Sequence, residues 1–177
     1  MKIFLTGRHA DADDLFMQVD DCDADLTKTL WGFSASNGYA YGRWPRLSDN
    51  RPRGAARVIL ERKLGRPLTK GEQPDHINHD KLDNRRENLR LATQAQNARN
   101  NRKRERHKGQ PPTSQYKGVN LHRKSGRWHA QIYHNHKIYG LGYYTIEEEA
   151  ARAYDAAARL YFDEFAYLNF PDQSDAP

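Results

Sequence analysis

The stretch Pro74-Asp-His-Ile-Asn-His-Asp-Lys-Leu-Asp-Asn-Arg-Arg-Glu-Asn-Leu-Arg-Leu-Ala-Thr-Gln-Ala-Gln-Asn-Ala-Arg99 is the densest run of chemistry-bearing side chains in the sequence. It reads as a strand ending at Asp75-His76, an ordered polar loop, a second strand over residues 89–93 and a helix with Asn97 in its first turns. A hairpin folded onto that helix brings Asp75, His76 and Asn97 together. A histidine with a near-neutral pKa suits water activation, and a carboxylate with an amide oxygen suits a cation that neutralises a phosphate. Arg85, Arg86, Arg90 and Arg99 are candidates to grip flanking phosphates. The bland readings are turn roles for Asn84 and Asn88 and loop structure for His79. A zinc centre from Asp75, His76, His79 and Asp80 would normally recruit cysteine or more distant histidines.

Working outward, residues 55–64 read as a short helix with Ala55, Val58 and Ile59 on one face, stopped by Gly65-Arg-Pro67. The first 53 residues read as short strands and turns, with strand-like runs at residues 2–6, 15–19 and 39–44. The acidic run Asp20-Asp-Cys-Asp-Ala-Asp25 lacks the glycine and distal glutamate of a calcium loop, and suits turns and helix starts.

Charge is unevenly placed. The net charge is +6, yet residues 1–50 carry 5 basic and 8 acidic side chains, residues 51–110 carry 17 and 7, and residues 111–177 carry 7 and 8. A basic centre points to a polyanion, because neutralising phosphates releases counterions. Hydrophobic residues make up 37% of the 177, charged residues 29%, and mean hydropathy is −1.05, so only modest cores are expected. No run approaches the ~18 apolar residues of a membrane span, and the N-terminus turns charged too soon for a signal peptide. One cysteine, Cys22, excludes an internal disulfide framework and any cysteine-rich zinc site, which fits a reduced cytoplasmic setting.

Residues 99–114 read as a charged linker, with Arg102, Lys103 and Arg104 added to the phosphate-binding candidates and Pro111-Pro112 blocking helix and sheet. Beyond it lie three strand candidates at residues 116–122, 127–133 and 137–143, with Ser125-Gly126 and His134-Asn135 at the turns. Thr145 and Glu148 have capping-box spacing at the start of a helix whose inner face would be Ala150, Ala153, Tyr154, Ala157 and Tyr161. Residues 113–143 hold Lys117, Arg123, Lys124, Arg127 and Lys137 and no acid, while residues 144–177 hold 8 acids against Arg152 and Arg159. A basic sheet with an acidic helix behind it suits a ribbon laid in the major groove.

Two resemblances follow from these residues. Asp75-His76, Asp83-Asn84-Arg85, Asn88-Leu89 and Gln96-Asn97 resemble the HNH nucleases with a ββα-metal fold, over about fifty residues. That resemblance implies His76 as general base, Asn88 as the loop-pinning residue that orients it, and Asp75 and Asn97 as ligands to one divalent metal ion. Asn97 stands where many members have histidine, which suggests Mg2+ or Mn2+ rather than zinc. The segments Ser-Gln-Tyr-Lys-Gly-Val-Asn120, Gly-Arg-Trp-His-Ala-Gln-Ile132, Leu-Gly-Tyr-Tyr-Thr145 and Ala-Tyr-Leu-Asn-Phe-Pro171 are similar to the AP2 DNA-binding domain. That similarity implies a three-stranded antiparallel sheet packed on one helix. Its DNA-contact candidates are Lys117, Asn120, His122, Arg123, Arg127, Trp128, Tyr133 and Lys137, with core packing an equal reading of Trp128. Plant-type members read bases with several arginines on these strands, and here other residues stand there, so base preference does not carry over.

The expectation is an α+β chain. It would have a strand-rich region at 1–53, an HNH ββα-metal core at 54–101, a basic linker at 102–114, an AP2-like domain at 115–171 and a tail at 172–177. Its function would be a homing-type, metal-dependent endonuclease acting on double-stranded DNA in a bacterial or phage-infected cell. It would need no membrane and no small-molecule cofactor, with monomer or dimer left open. The rival readings are a non-catalytic DNA-binding regulator with a decayed HNH core, and an RNA-binding protein.

Overall fold

The computed structural model describes residues 1–6, 15–43, 52–101 and 112–171. Arg102, Lys103, Arg104, Trp44, most of the expected linker and the tail lie outside the described residues. The chain is mixed α/β, with several small antiparallel sheets and few helices, in two compact units, Met1–Ala95 and Gln96–Pro177.

In the first unit, strand β1 (Lys2–Phe4) pairs antiparallel with β2 (Phe16–Gln18). A 3-10 helix, Asp21–Lys28, follows and leads into a sheet of β3 (Trp31–Ser34), β4 (Tyr39–Arg43) and β5 (Pro52–Gly54). Helix α1 (Ala55–Leu64) then buries Ala55, Ala56, Val58, Ile59 and Leu60. It stops at Gly65, where Arg66 N–H returns to the Glu61 carbonyl. The hairpin β6 (Glu72–His76) and β7 (Leu89–Thr93) pairs Asp75 with Arg90 and His76 with Leu89.

One apolar cluster joins Ile3, Met17, Val19, Leu26, Trp31, Ile59, Leu60 and Leu89. It runs across the boundary expected at residue 53, so the N-terminal strands and the hairpin share a core. The acidic run is a helical turn whose charges are answered from elsewhere. Asp23 is fully buried and accepts from Arg62 (2.9 Å) and Arg86 (2.8 Å), while Asp25 accepts a bidentate pair from Arg62. Burial alone would raise the Asp23 pKa, but the hydrogen bonds from Arg86 and Arg62 outweigh it and hold the carboxyl below the usual range.

Helix α2 (Gln94–Asn100) follows β7 directly, and the division between the units falls inside it. In the second unit, β8 (Val119–His122), β9 (Arg127–His134) and β10 (Lys137–Tyr144) form an antiparallel sheet with β9 in the centre. The β9–β10 turn uses Asn135 and His136 at φ 47° and 62°, one residue later than expected, as a two-residue hairpin loop demands. Helix α3 (Glu147–Phe162) packs Ala150, Ala151, Tyr154 and Ala158 toward the sheet, so the buried stripe is rotated from the expected one. The capping box does not form. The N-cap is Ile146 without a side-chain bond, and Glu147, Glu148 and Glu149 favour the helix start through its dipole instead. Gly118 has φ 77°, and a Cβ there would overlap the Tyr154 ring, so helix and sheet approach closely only with glycine. Ser114 and Thr113, expected in the linker, are part of this unit: Ser114 Oγ accepts from Tyr116 N–H and Thr113 Oγ1 from Leu121 N–H.

Candidate active site and nucleic-acid interface

Asp75 and His76 end β6, and both are buried. Between them and β7 the loop is held by its own side chains. Asn88 Oδ1 accepts from Asn78 N–H at 2.9 Å and Asn88 Nδ2 donates to the Asp83 carbonyl at 2.7 Å, so one amide ties both ends of the loop. Asn78 Nδ2 donates to Asp83, whose carboxylate also takes a bidentate pair from Arg85 at 2.8 Å. Strand β2 grips the same loop: Gln18 N–H donates to the Leu82 carbonyl and Asn84 N–H to the Gln18 carbonyl.

Asn88 pins the loop, and Asn84 meets the His76 ring. Asn84 Oδ1 lies 3.1 Å from His76 Nε2. The other end of that amide donates to the Leu82 carbonyl and the Met17 sulfur, which fixes Oδ1 toward the imidazole. Nε2 therefore carries the proton in the neutral ring, and Nδ1 is its acceptor. Burial lowers the His76 pKa below 6.5; the Asn84 bond and the charges of Asp75, Asp80 and Asp83 oppose this without overcoming it. The ring is a neutral base at physiological pH.

Two further residues stand at this site that the sequence did not single out. The Tyr39 ring is 5.9 Å from the His76 ring, and the Lys81 ammonium lies 4.7 Å over Tyr39. Burial, then Tyr41 and Asp75, push the Tyr39 phenol up, so it stays protonated. The signal was faint: alternation in Tyr39-Ala-Tyr41 marked a strand, but not what its faces meet.

The expected phosphate-gripping arginines are engaged. Arg90 donates to Asp75 Oδ2 through Nε and Nη2 (2.9 and 2.8 Å), Arg86 is bound to Asp23, and Arg85 to Asp83 and Glu87. The placements of Arg86 and Arg90 differ from open phosphate sites because buried carboxylates require counter-charges. Asn97 stands on α2, in the second unit. In that unit Arg99 lies 5.0 Å over the Phe162 ring.

On the second unit, alternation along β9 turns Trp128, Ala130 and Ile132 toward α3 and His129, Gln131 and Tyr133 away from it. Trp128 is partly buried and packs against the apolar cluster of Val119, Ala130, Ala150 and Ala151. Lys117 departs from expectation. Its ammonium donates to the Arg99 and Asn101 carbonyls at 2.5 and 2.7 Å, and burial pushes its pKa down to about 8. It holds the end of α2 instead of facing solvent. Asn120, Arg123, Arg127 and Lys137 are exposed, as are His122, which bonds Ser125 Oγ, and Tyr133.

Comparison with known proteins finds two kinds of match. Residues 53–99 match the family model described as HNH endonuclease. About a third of the chain is similar to plant proteins. It is 47% identical over 64 residues to the AP2/ERF and B3 domain-containing transcription repressor TEM1 of Arabidopsis thaliana, covering 36% of this chain and 18% of that protein. It is 48% identical over 61 residues to the transcription factor RAV1 of the same plant (34% and 17%). It is 42% identical over 69 residues to the AP2-like ethylene-responsive transcription factor ANT, also from Arabidopsis thaliana (33% and 12%). The chain spans less than a fifth of the length of these relatives. A segment that matches the HNH endonuclease model and a stretch similar to AP2/ERF proteins thus stand in one chain.

Proposed function

We propose that this chain is a metal-dependent endonuclease that hydrolyses phosphodiester bonds of double-stranded DNA, with its AP2-like sheet supplying affinity and register. The observation that carries the reading is His76: a buried, neutral imidazole with its tautomer set by Asn84, beside Asp75, inside the HNH match. In this reading His76 Nδ1 takes a proton from the attacking water. Asn88 and Asn84 keep the ring from turning, and burial keeps it neutral until that proton arrives.

The donor chemistry fits a hard divalent ion. Asp75 offers a carboxylate and Asn97 an amide oxygen, the ligand types of Mg2+ or Mn2+. Such an ion, when bound, stabilises charge on the leaving oxygen. The sheet face that looks away from α3 carries Asn120, His122 and Tyr133, with Arg127 at its edge. A strand ribbon of this kind reads DNA through the major groove. One His76 per chain predicts nicking by a monomer, and double-strand cleavage through a dimer or sequential nicks.

The test uses the purified chain with supercoiled plasmid and Mg2+ or Mn2+. Nicks that ligase reseals, lost with Asp75→Ala, with Asn97→Ala and in EDTA, support the reading. Undiminished cleavage in excess EDTA removes the metal from it. The transcription factors among the similar proteins favour one other reading, a DNA-binding regulator; plasmid that is bound but never nicked selects it.

A further inference from the structure

We propose that Tyr39 and Lys81 form a phosphate-binding subsite beside His76, in which the Tyr39 hydroxyl donates a hydrogen bond to a non-bridging oxygen of the scissile phosphate. The inference rests on the nuclease reading above and names two of its substrate-positioning residues.

Tyr39 is aimed by the turn before it. Asn37 Oδ1 accepts from Tyr39 N–H at 3.2 Å, and Gly38 N–H donates to the Ser34 carbonyl at 2.7 Å. The ring meets two side chains of the HNH segment. One is the His76 imidazole, at 5.9 Å and tilted by 38°. The other is Lys81, whose stem packs along Gly38 and whose ammonium donates to the Asn37 carbonyl at 2.8 Å while lying 4.7 Å over the ring. The cation fixes the ring and raises the local positive potential.

Two observations separate this pair from ordinary packing. Among the described residues the hydroxyl of half-buried Tyr39 makes no hydrogen bond within the protein and is reached by solvent, which leaves it open to a ligand. Among the same residues Lys81 forms no ion pair, whereas Arg85, Arg86 and Arg90 around the site are each bound to a carboxylate. The site thus has a protonated donor and an unneutralised cation side by side, next to the base that would activate water. Negative charge grows on the non-bridging oxygens as a phosphodiester is attacked, and a fixed donor and cation at that place favour the transition state over the ground state. The ligand class is a phosphodiester, and its source is the strand being cut. The N-terminal strands gain a role here that the HNH hairpin alone does not supply.

The experiment compares the full chain with Tyr39→Phe and Lys81→Gln in single-turnover cleavage, at saturating duplex carrying a mapped cut site. Tyr39→Phe keeps the ring against His76 and removes only the hydroxyl. It should lower the cleavage rate about 100-fold, with DNA affinity and melting temperature unchanged. Lys81→Gln should slow cleavage and reduce the salt slope of binding by about one. The second readout is a duplex with sulfur in place of one non-bridging oxygen at the cut. One of the two diastereomers should slow the wild type much more than Tyr39→Phe, because the variant has already lost that bond. Wild-type rates in Tyr39→Phe, or equal sulfur effects in both proteins, overturn the subsite. If His76→Ala is dead while Tyr39→Phe is not, the nuclease reading stands and this inference falls. A wild-type chain that leaves DNA intact under all metals overturns both.

Discussion

The His76 ring and the Asn84 amide meet at 3.1 Å through Nε2 and Oδ1, and both side chains are buried. Asn84 is held in turn by Leu82 and Met17, so the orientation of the imidazole is set from the N-terminal strands as well as from its own loop. Asn84→Leu should lower cleavage by about 10- to 100-fold, the usual range for a residue that orients a reacting group. It should leave DNA affinity near wild type. Single-turnover rates with parallel anisotropy titrations check this.

The same contact gives a pH prediction. Burial holds His76 below 6.5, so the free base persists as pH falls past 6.5 and the acid limb of the cleavage profile should lie below it. Asn84→Asp puts a carboxylate against Nε2, favours the imidazolium and should move that limb to higher pH. Rate profiles from pH 5 to 9 for both proteins measure the shift and its sign.

Much of this site was legible in the sequence, because local order carried it. Residues 89–93 and 55–64 are the strand and helix that their patterns predict, and Asp75-His76 does end a strand. What was not legible depends on distant partners. Nothing near Asp23 announces that Arg62 and Arg86 will reach it, and nothing near Lys117 announces the carbonyls of Arg99 and Asn101. A charged side chain reads as solvent-facing until a remote group buries it. Asn84 looked like a turn residue because its bond to His76 spans a loop, and Tyr39 is brought to the site only by tertiary packing. The turn at Asn135-His136 slipped by one residue because hairpin register follows backbone twist and not composition.

The Asp23 network yields a stability prediction. Asp23 is 0% exposed while its arginine partners are 26% and 33% exposed, so the arginines can partly return to water when it is removed. Asp23→Asn should cost about 2–4 kcal/mol, somewhat less than breaking a fully buried pair. Its folded pKa is below the usual value, so its contribution is present above about pH 4 and is lost as pH falls through the folded value. Chemical melts of wild type and variant should differ most at neutral pH and converge in strong acid.

Lys117 and Arg127 should behave differently although both are basic residues of the AP2-like segment. Lys117→Met removes two bonds to the end of α2 and should destabilise the second unit by about 1–3 kcal/mol, leaving the salt slope of DNA binding unchanged. Arg127→Ala should leave melting unchanged and reduce the slope by about one if it meets one phosphate. A fragment starting at Gln96 should melt higher than one starting at Thr113, which lacks both carbonyl partners. Calorimetry with binding titrations across salt separates these effects.

The most direct measurement is a paired assay on His76→Ala, with plasmid nicking in Mn2+ or Mg2+ beside DNA affinity at matched salt. Ligatable nicks are expected from the wild type, with a fall of at least about 100-fold in the variant and affinities within about twofold of each other. Nicking by His76→Ala at the wild-type rate would contradict His76 as the general base.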